Sequence, residues 1–426
     1  MAEVERAYIE RPELGLVAIG AAQALSDLAP NATISLTASV QETIVTYGEI
    51  ERAHGTITFP YQMSRDEALA DLTTLFRWVL DTTPGVKASD FERKMIERGL
   101  QRLDPESVFL DAEALREGPS NPAVVGLELT ERDGSLTVVS SFEGSPAERA
   151  GIQASDRIVQ IDGWTTASMP LRETVKRLRG RPGSSVRLAI ERDSWPTPQE
   201  IEVTRVQMRI SCAFARDLGD GIVYVRIRQM GAEAPSEVES ALKPFKPGMK
   251  ALILDLRSNP GVGMLSAAVE VAERFLQPGK LIVYTEGRLQ TQRLQVTGRS
   301  TNGNTQVPMV TLVNKGTGAG TEMVAGALQD WDRATIVGNP TFGRSSIQTS
   351  IPLGDGSTIW LTTARWFTPK GRSVEGKGIT PDIAVEGGLR LPPSANTSKE
   401  EMLRDDKPLT AAVTHLKALI AATRTR

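Results

Sequence analysis

The sequence predicts a multidomain α/β protein. Three observations carry that prediction. The chain has 426 residues, more than one ordinary core holds, which points to two to four domains. Its second half alternates continuous apolar runs (ALILDLR, VPMVTLVN, ATIVG) with amphipathic stretches, as helices laid on a buried sheet do. Its first half instead gathers helical and β-rich segments into separate blocks.

Composition narrows the function classes. Hydrophobic residues make up 40% and charged residues 24%, ordinary for a globular protein. A net charge of −3 gives no footprint for nucleic acid or an anionic membrane. The longest apolar stretch, Leu14 to Leu25, is too short for a bilayer span. The opening MAEVERAYIERPELG shows no signal peptide, which leaves export open. Cys212 is the only cysteine, so no internal disulfide or cysteine metal cluster is possible. The only histidines, His54 and His415, stand at opposite ends, against a Ser-His-Asp relay or a His-rich zinc site. No cofactor and no metal is expected.

Residues 1–65 read as an N-terminal α/β unit. A helix over Leu14 to Leu28 precedes the β-rich run ATISLTASVQETIVTYGEI. Residues 66–118 read as helical. Leu69, Leu72, Leu75, Phe76 and Val79 fall on one stripe of a 3.6-residue period, and FERKMIERGLQRL forms a second amphipathic helix. Within residues 207–390, GIVYVRIRQM reads as an alternating strand, and strands and helices then follow in turn. Residues 391–426 read as a linker and a C-terminal helix, with Leu409, Val413, Leu416 and Ile420 on one face.

Several motifs now combine. SSFEGSPAERAGIQASDRIVQIDGWTT in residues 119–206 resembles a PDZ domain: Pro146–Ala147 opens a short helix, Gly151 ends it, and Asp162–Gly163 makes a tight hairpin turn. Around it lie LDPESVFL, ILDLRSNPG, TGAGTEMVAGALQDW, LGDGSTIWLTTARWFTPKGRSVEGKGITPDI and DDKPLTAAVTHL. Their types and order are similar to those of the C-terminal processing peptidases, also called tail-specific proteases, over roughly residues 66–425. The resemblance implies a ClpP/crotonase-like β-α spiral core with an inserted PDZ domain and a helical N-terminal region. It also implies a periplasmic or extracytoplasmic place of work. A PDZ groove adds a peptide strand to a sheet edge and holds its carboxylate with backbone N–H groups. Val125, Gly126 and Leu127 would supply those groups, Gly126 leaving room where the ligand approaches. The helix Leu171 to Leu178 would line the groove.

The resemblance also implies a Ser nucleophile three residues before Glu322, a Lys base 25 residues further on, and a Gln four beyond that. Those positions hold Ala319, Arg344 and Gln348. Ala319 has no nucleophile, and a guanidinium keeps its proton, so Arg344 cannot act as base. Oxyanion donors would be the amides of Gly261 or Gly263 together with Gly320, in a loop that reads NPGVG where the family has NPGG. Two roles are open for Arg344: an ion pair that plugs the old site, which is preferred, or bidentate binding of a peptide carboxylate.

The chain is therefore expected to be a silent member that binds extended peptides or protein C-termini, and that scaffolds or regulates a partner or an active paralogue. The alternatives are an active serine endopeptidase with a nucleophile relocated to Thr317, Thr321, Ser345 or Ser346, and an engineered inactive form. A homo-oligomer built through the N-terminal unit and last helix is a third possibility.

Overall fold

The structure is a computed structural model and describes residues 1–28, 32–39, 41–49, 52–83, 85, 87–112, 123–132, 135–141, 145–153, 155–167, 171–208, 211–261, 265–299, 306–386 and 398–424. In chain order the first elements are α1 (Ala2–Ala7), α2 (Leu14–Leu28), β1 (Ala32–Ala38), β2 (Glu42–Glu49), β3 (Arg52–Pro60), α3 (Arg65–Thr82), α4 (Ala88–Leu100) and β4 (Val108–Leu110). Next come β5 (Leu127–Arg132), β6 (Ser135–Ser141), α5 (Pro146–Arg149), β7 (Arg157–Ile161), β8 (Trp164–Thr165), α6 (Leu171–Leu178), β9 (Ser185–Glu191) and β10 (Gln199–Thr204). The last stretch holds β11 (Ala213–Asp217), β12 (Ile222–Ile227), α7 (Ala234–Leu242), β13 (Ala251–Asp255), α8 (Leu265–Glu273), β14 (Leu281–Gly287), β15 (Leu294–Thr297), β16 (Met309–Val313), α9 (Ala319–Asp330), β17 (Thr335–Gly338), β18 (Ser346–Pro352), β19 (Thr358–Phe367), β20 (Ile383–Ala384), α10 (Lys399–Asp405) and α11 (Lys407–Arg424).

Two compact units result. The first gathers residues 1–118, 284–295 and 345–366. Its β1-β2-β3 sheet is antiparallel throughout and shares a core with α2, α3 and α4. Helix α3 begins at a capping box. The Ser64 hydroxyl accepts from the Glu67 amide at 3.3 Å, and the Ser64 amide donates to the Glu67 carboxylate at 2.8 Å. Its buried stripe is Ala68, Leu72, Leu75, Trp78 and Val79, while Leu69 is exposed. The expected stripe is thus rotated, because Trp78 offers more apolar area than Leu69 and takes its place in the core.

The second unit gathers residues 119–283, 296–344 and 367–426. Its first part is the sheet β10-β9-β7-β6-β5, with β8 paired to β7 and β5 at the edge. Alternation is clear in β9, where Val186, Leu188 and Ile190 are fully buried between exposed or half-buried neighbours. The β7–β8 hairpin turns through Asp162 (φ +48°) and Gly163 (φ +81°), the positive pair of a two-residue turn.

The second sheet of this unit runs β11-β12-β13-β16-β17-β20, parallel from β12 onward. All six residues of β12 are buried, so the expected alternation fails there. The strand lies inside the sheet with both faces covered, and even Arg226 is 1% exposed. Helix α11 lays Leu409, Ala412 and Leu416 against Tyr224, Ile253, Val310 and Val337. Each buried aliphatic side chain there stabilises by about 1.5–3 kcal/mol. Helix α10 stands inside the stretch read as linker, with Met402 in the same core.

Candidate active site

The site is built on the turn from β16 into α9. Strand β16 ends at Val313, Thr317 donates its hydroxyl to the Leu256 carbonyl at 2.9 Å, and α9 starts at Ala319. Ala319 has φ +44°, a left-handed backbone that costs a non-glycine residue about 1–2 kcal/mol. Its side chain is half-buried.

Glu322 organises everything around it. Its carboxylate is fully buried and accepts from four donors. Oxygen Oε2 takes the amides of Ala319 and Arg344, each at 2.9 Å. Oxygen Oε1 takes the Gly343 amide at 2.8 Å and the Thr341 hydroxyl. Thr341 in turn accepts the Ile379 amide at 2.6 Å, which leaves its own proton for Glu322. Burial pushes the Glu322 carboxyl above its usual range, and the four donors work against that rise. One oxygen thus joins the Ala319 and Arg344 amides, so these sequence-distant positions lie within two hydrogen-bond lengths. The guanidinium of Arg344 lies 5.2 Å from the centre of the exposed Phe342 ring.

The proposed oxyanion donors are also brought together, but their amides point inward. The Gly261 amide donates to its neighbour Asn259 Oδ1 at 3.0 Å, and the Gly320 amide to the Gly261 carbonyl at 3.3 Å. Gly318 donates to the Asn259 carbonyl at 3.0 Å. A Cβ on Gly261 (φ +64°) would sit 1.9 Å from the Gly318 carbonyl, so only glycine fits. In this conformation neither amide is directed at a bound oxyanion. Gly263 lies outside the described residues.

The loop is anchored from behind by charge. Arg257 bonds Asp255 at 2.5–3.0 Å and Asp406, at the start of α11, at 2.7 and 2.8 Å. Tyr224 donates to Asp255 at 2.7 Å. Burial pushes Asp255 up, but Arg257, Arg226 and the tyrosine hydroxyl together bring it below the usual carboxylate range. Sequence reasoning passed over Asp255, Arg257 and Asp406. The pairing of DLR with a distant DDKP was there to be read, but nothing in the spacing says that the two meet.

Gln348 belongs to the first unit. It is exposed, not buried as a structural glutamine would be, and donates to the Glu106 carbonyl. Among the candidate replacement nucleophiles, Thr317, Thr321 and Ser345 are fully buried, and Ser346 is half-buried in the first unit. In the PDZ-like sheet, Val125 is core and Leu127 half-buried at the start of the edge strand. Gly126 (φ +83°) meets Ser145 and Met208, not open space. A Cβ there would lie 2.2 Å from the Ser145 Cβ and 3.0 Å from the Met208 sulfur. Its glycine is thus required by internal packing, which corrects the expectation of room kept for a ligand. No group of three or more potential metal ligands occurs among the described residues.

A PDZ-type sheet joined to a parallel α/β core with a strained helix start is the arrangement that the resemblance to processing peptidases implies. The Peptidase family S41 profile matches residues 221–385, and a PDZ profile matches residues 137–192. A carboxy-terminal-processing protease of Bartonella bacilliformis is 36% identical over 311 residues, covering 70% of this chain and 71% of that one. A CtpA-like serine protease of Staphylococcus aureus is 32% identical over 325 residues, 74% of this chain and 64% of the relative. The photosystem II D1 C-terminal processing protease shares the fold with a TM-score of 0.57 at 24% identity, covering 95% of this chain and 94% of its own. The chain belongs to the C-terminal processing peptidases of family S41.

Proposed function

We propose that this chain is a catalytically silent processing peptidase that binds extended peptides or protein C-termini through its PDZ groove, in the bacterial envelope. The observation that carries the reading is the pair Ala319 and Arg344, held on one carboxylate oxygen where the family places nucleophile and base. Neither side chain can attack a carbonyl or take a proton. The inward Gly261 and Gly320 amides support the same reading. So does the position of β5, which among the described residues is an edge strand of the kind that receives a peptide.

Digestion of an unstructured protein such as casein tests the first half of the proposal. The expected result is no cleavage, with or without a chelator. Cleavage by the unaltered chain, lost on one Ser or Thr substitution, would establish the relocated nucleophile instead. Calorimetry with paired peptides, one with a free C-terminal carboxylate and one amidated, tests the second half. The free acid is expected to bind more tightly; equal binding would remove the carboxylate-reading groove.

A further inference from the structure

Strand β1 lies at an edge of its sheet and pairs only with β2 among the described residues. The opposite edge, β3, carries the usual protection: Arg52, His54 and Pro60, with a register break opposite Tyr47/Gly48. Strand β1 carries none. Its sequence, ATISLTA, has no charge, proline or glycine, and its register with β2 is unbroken from Ala32 opposite Glu49 to Ala38 opposite Thr43. Ser35, Leu36, Thr37 and Ala38 are all exposed, although successive strand residues face opposite sides. Over these residues neither face is covered. An edge that is uncharged, β-prone and open is a template for strand addition.

The sequence says which strand fits. ATISLTA is a near-palindrome about Ser35. A second β1 laid antiparallel with a twofold axis at Ser35 puts Ala32 opposite Ala38, Thr33 opposite Thr37 and Ile34 opposite Leu36. Thr–Thr and aliphatic pairs are among the favourable cross-strand pairs, and no like charges face each other. A twofold interface must be self-complementary in this way. We infer that β1 pairs with β1 of a second copy of this chain, joining two three-stranded sheets into one continuous six-stranded sheet.

Sedimentation equilibrium of the full chain, over a range of concentrations, reads this directly. The expected species is a dimer of the 46.1 kDa chain. Ser35→Lys places two like charges at the axis and is expected to shift the population to monomer, with an unchanged circular dichroism spectrum. Ser35→Cys is expected to form an interchain disulfide on mild oxidation, because position 35 faces itself; Thr37→Cys faces Thr33 and is not. The native Cys212 is buried and gives no background. A strictly monomeric chain, a dimer indifferent to Ser35→Lys, or equal crosslinking at 35 and 37 would each overturn the inference. So would a monomer whose edge takes up an unrelated strand-forming peptide.

Discussion

Glu322 and Asp255 are both buried carboxylates of the same core, and they respond to pH with opposite sign. Asp255 titrates below its ordinary range in the fold, because its cationic neighbours and Tyr224 outweigh burial. Its stabilisation is therefore present above the ordinary carboxylate pKa of about 3.9 and is lost as pH falls through the depressed folded value. Asp255→Asn is expected to cost about 3–5 kcal/mol near neutrality, since it leaves Arg257 with less compensation, and the deficit should shrink in acid. Denaturant midpoints of both proteins across pH would show it; a constant difference would contradict it. Glu322 titrates above its ordinary range through burial, so its share of stability is greatest in acid and falls as pH rises through the raised value. Glu322→Gln turns an amide NH₂ toward donors that need acceptors, and is expected to lose about 3 kcal/mol. The motif spacing placed Glu322 in the sequence, yet its four donors come from two separate segments, the start of α9 and the loop 341–344, and no local pattern announces them.

At the scale of elements, what could be read depended on whether local chemistry or burial decided the outcome. The helix expected over Leu14 to Leu28 is α2 to the residue, and the last helix presents its apolar face as its period requires. The start of α3 is set by local chemistry, the Ser64–Glu67 capping box. Ser64→Ala is expected to cost about 1 kcal/mol, measurable in the denaturant midpoint. Strand β12 was misread because its sequence shows polar residues at Arg226 and Tyr224. Burial on both faces is satisfied there by Asp255, supplied from the neighbouring strand. Helix α10 was hidden by the proline- and serine-rich composition just before it. Asp406 ties α11 to the Arg257 loop, so Asp406→Asn is expected to raise hydrogen exchange at the start of α11 while the parallel sheet stays protected. Unchanged exchange there would mean that the helix is held by Leu409, Ala412 and Leu416 alone.

For the whole molecule, the fold was legible because several motifs stood in family order, and both profiles and relatives agree with that reading. The conformation of the oxyanion loop was not legible. Whether an amide points outward or to its neighbour is settled by a few torsions that sequence leaves free. This has a measurable consequence for repair. The double change Ala319→Ser, Arg344→Lys would supply the nucleophile and base types that the proposed site calls for, but leaves the Gly261 and Gly320 amides on internal acceptors. Each missing oxyanion donor costs about 10²–10³-fold in rate. Casein cleavage by the double variant is therefore expected to stay at least about 10²-fold below that of an active relative. A fully active double variant would mean that the loop reorganises when substrate binds.

The glycine at 261 carries one last implication. Its backbone presses so closely on Gly318 and Gly320 that no side chain can enter, and Asn259 locks the same turn from two directions. The packing of a folded chain is enough to require these residues, whether or not the site turns over substrate. The NPG and TGAGTE signatures work as mortar here, and their presence does not by itself vouch for activity.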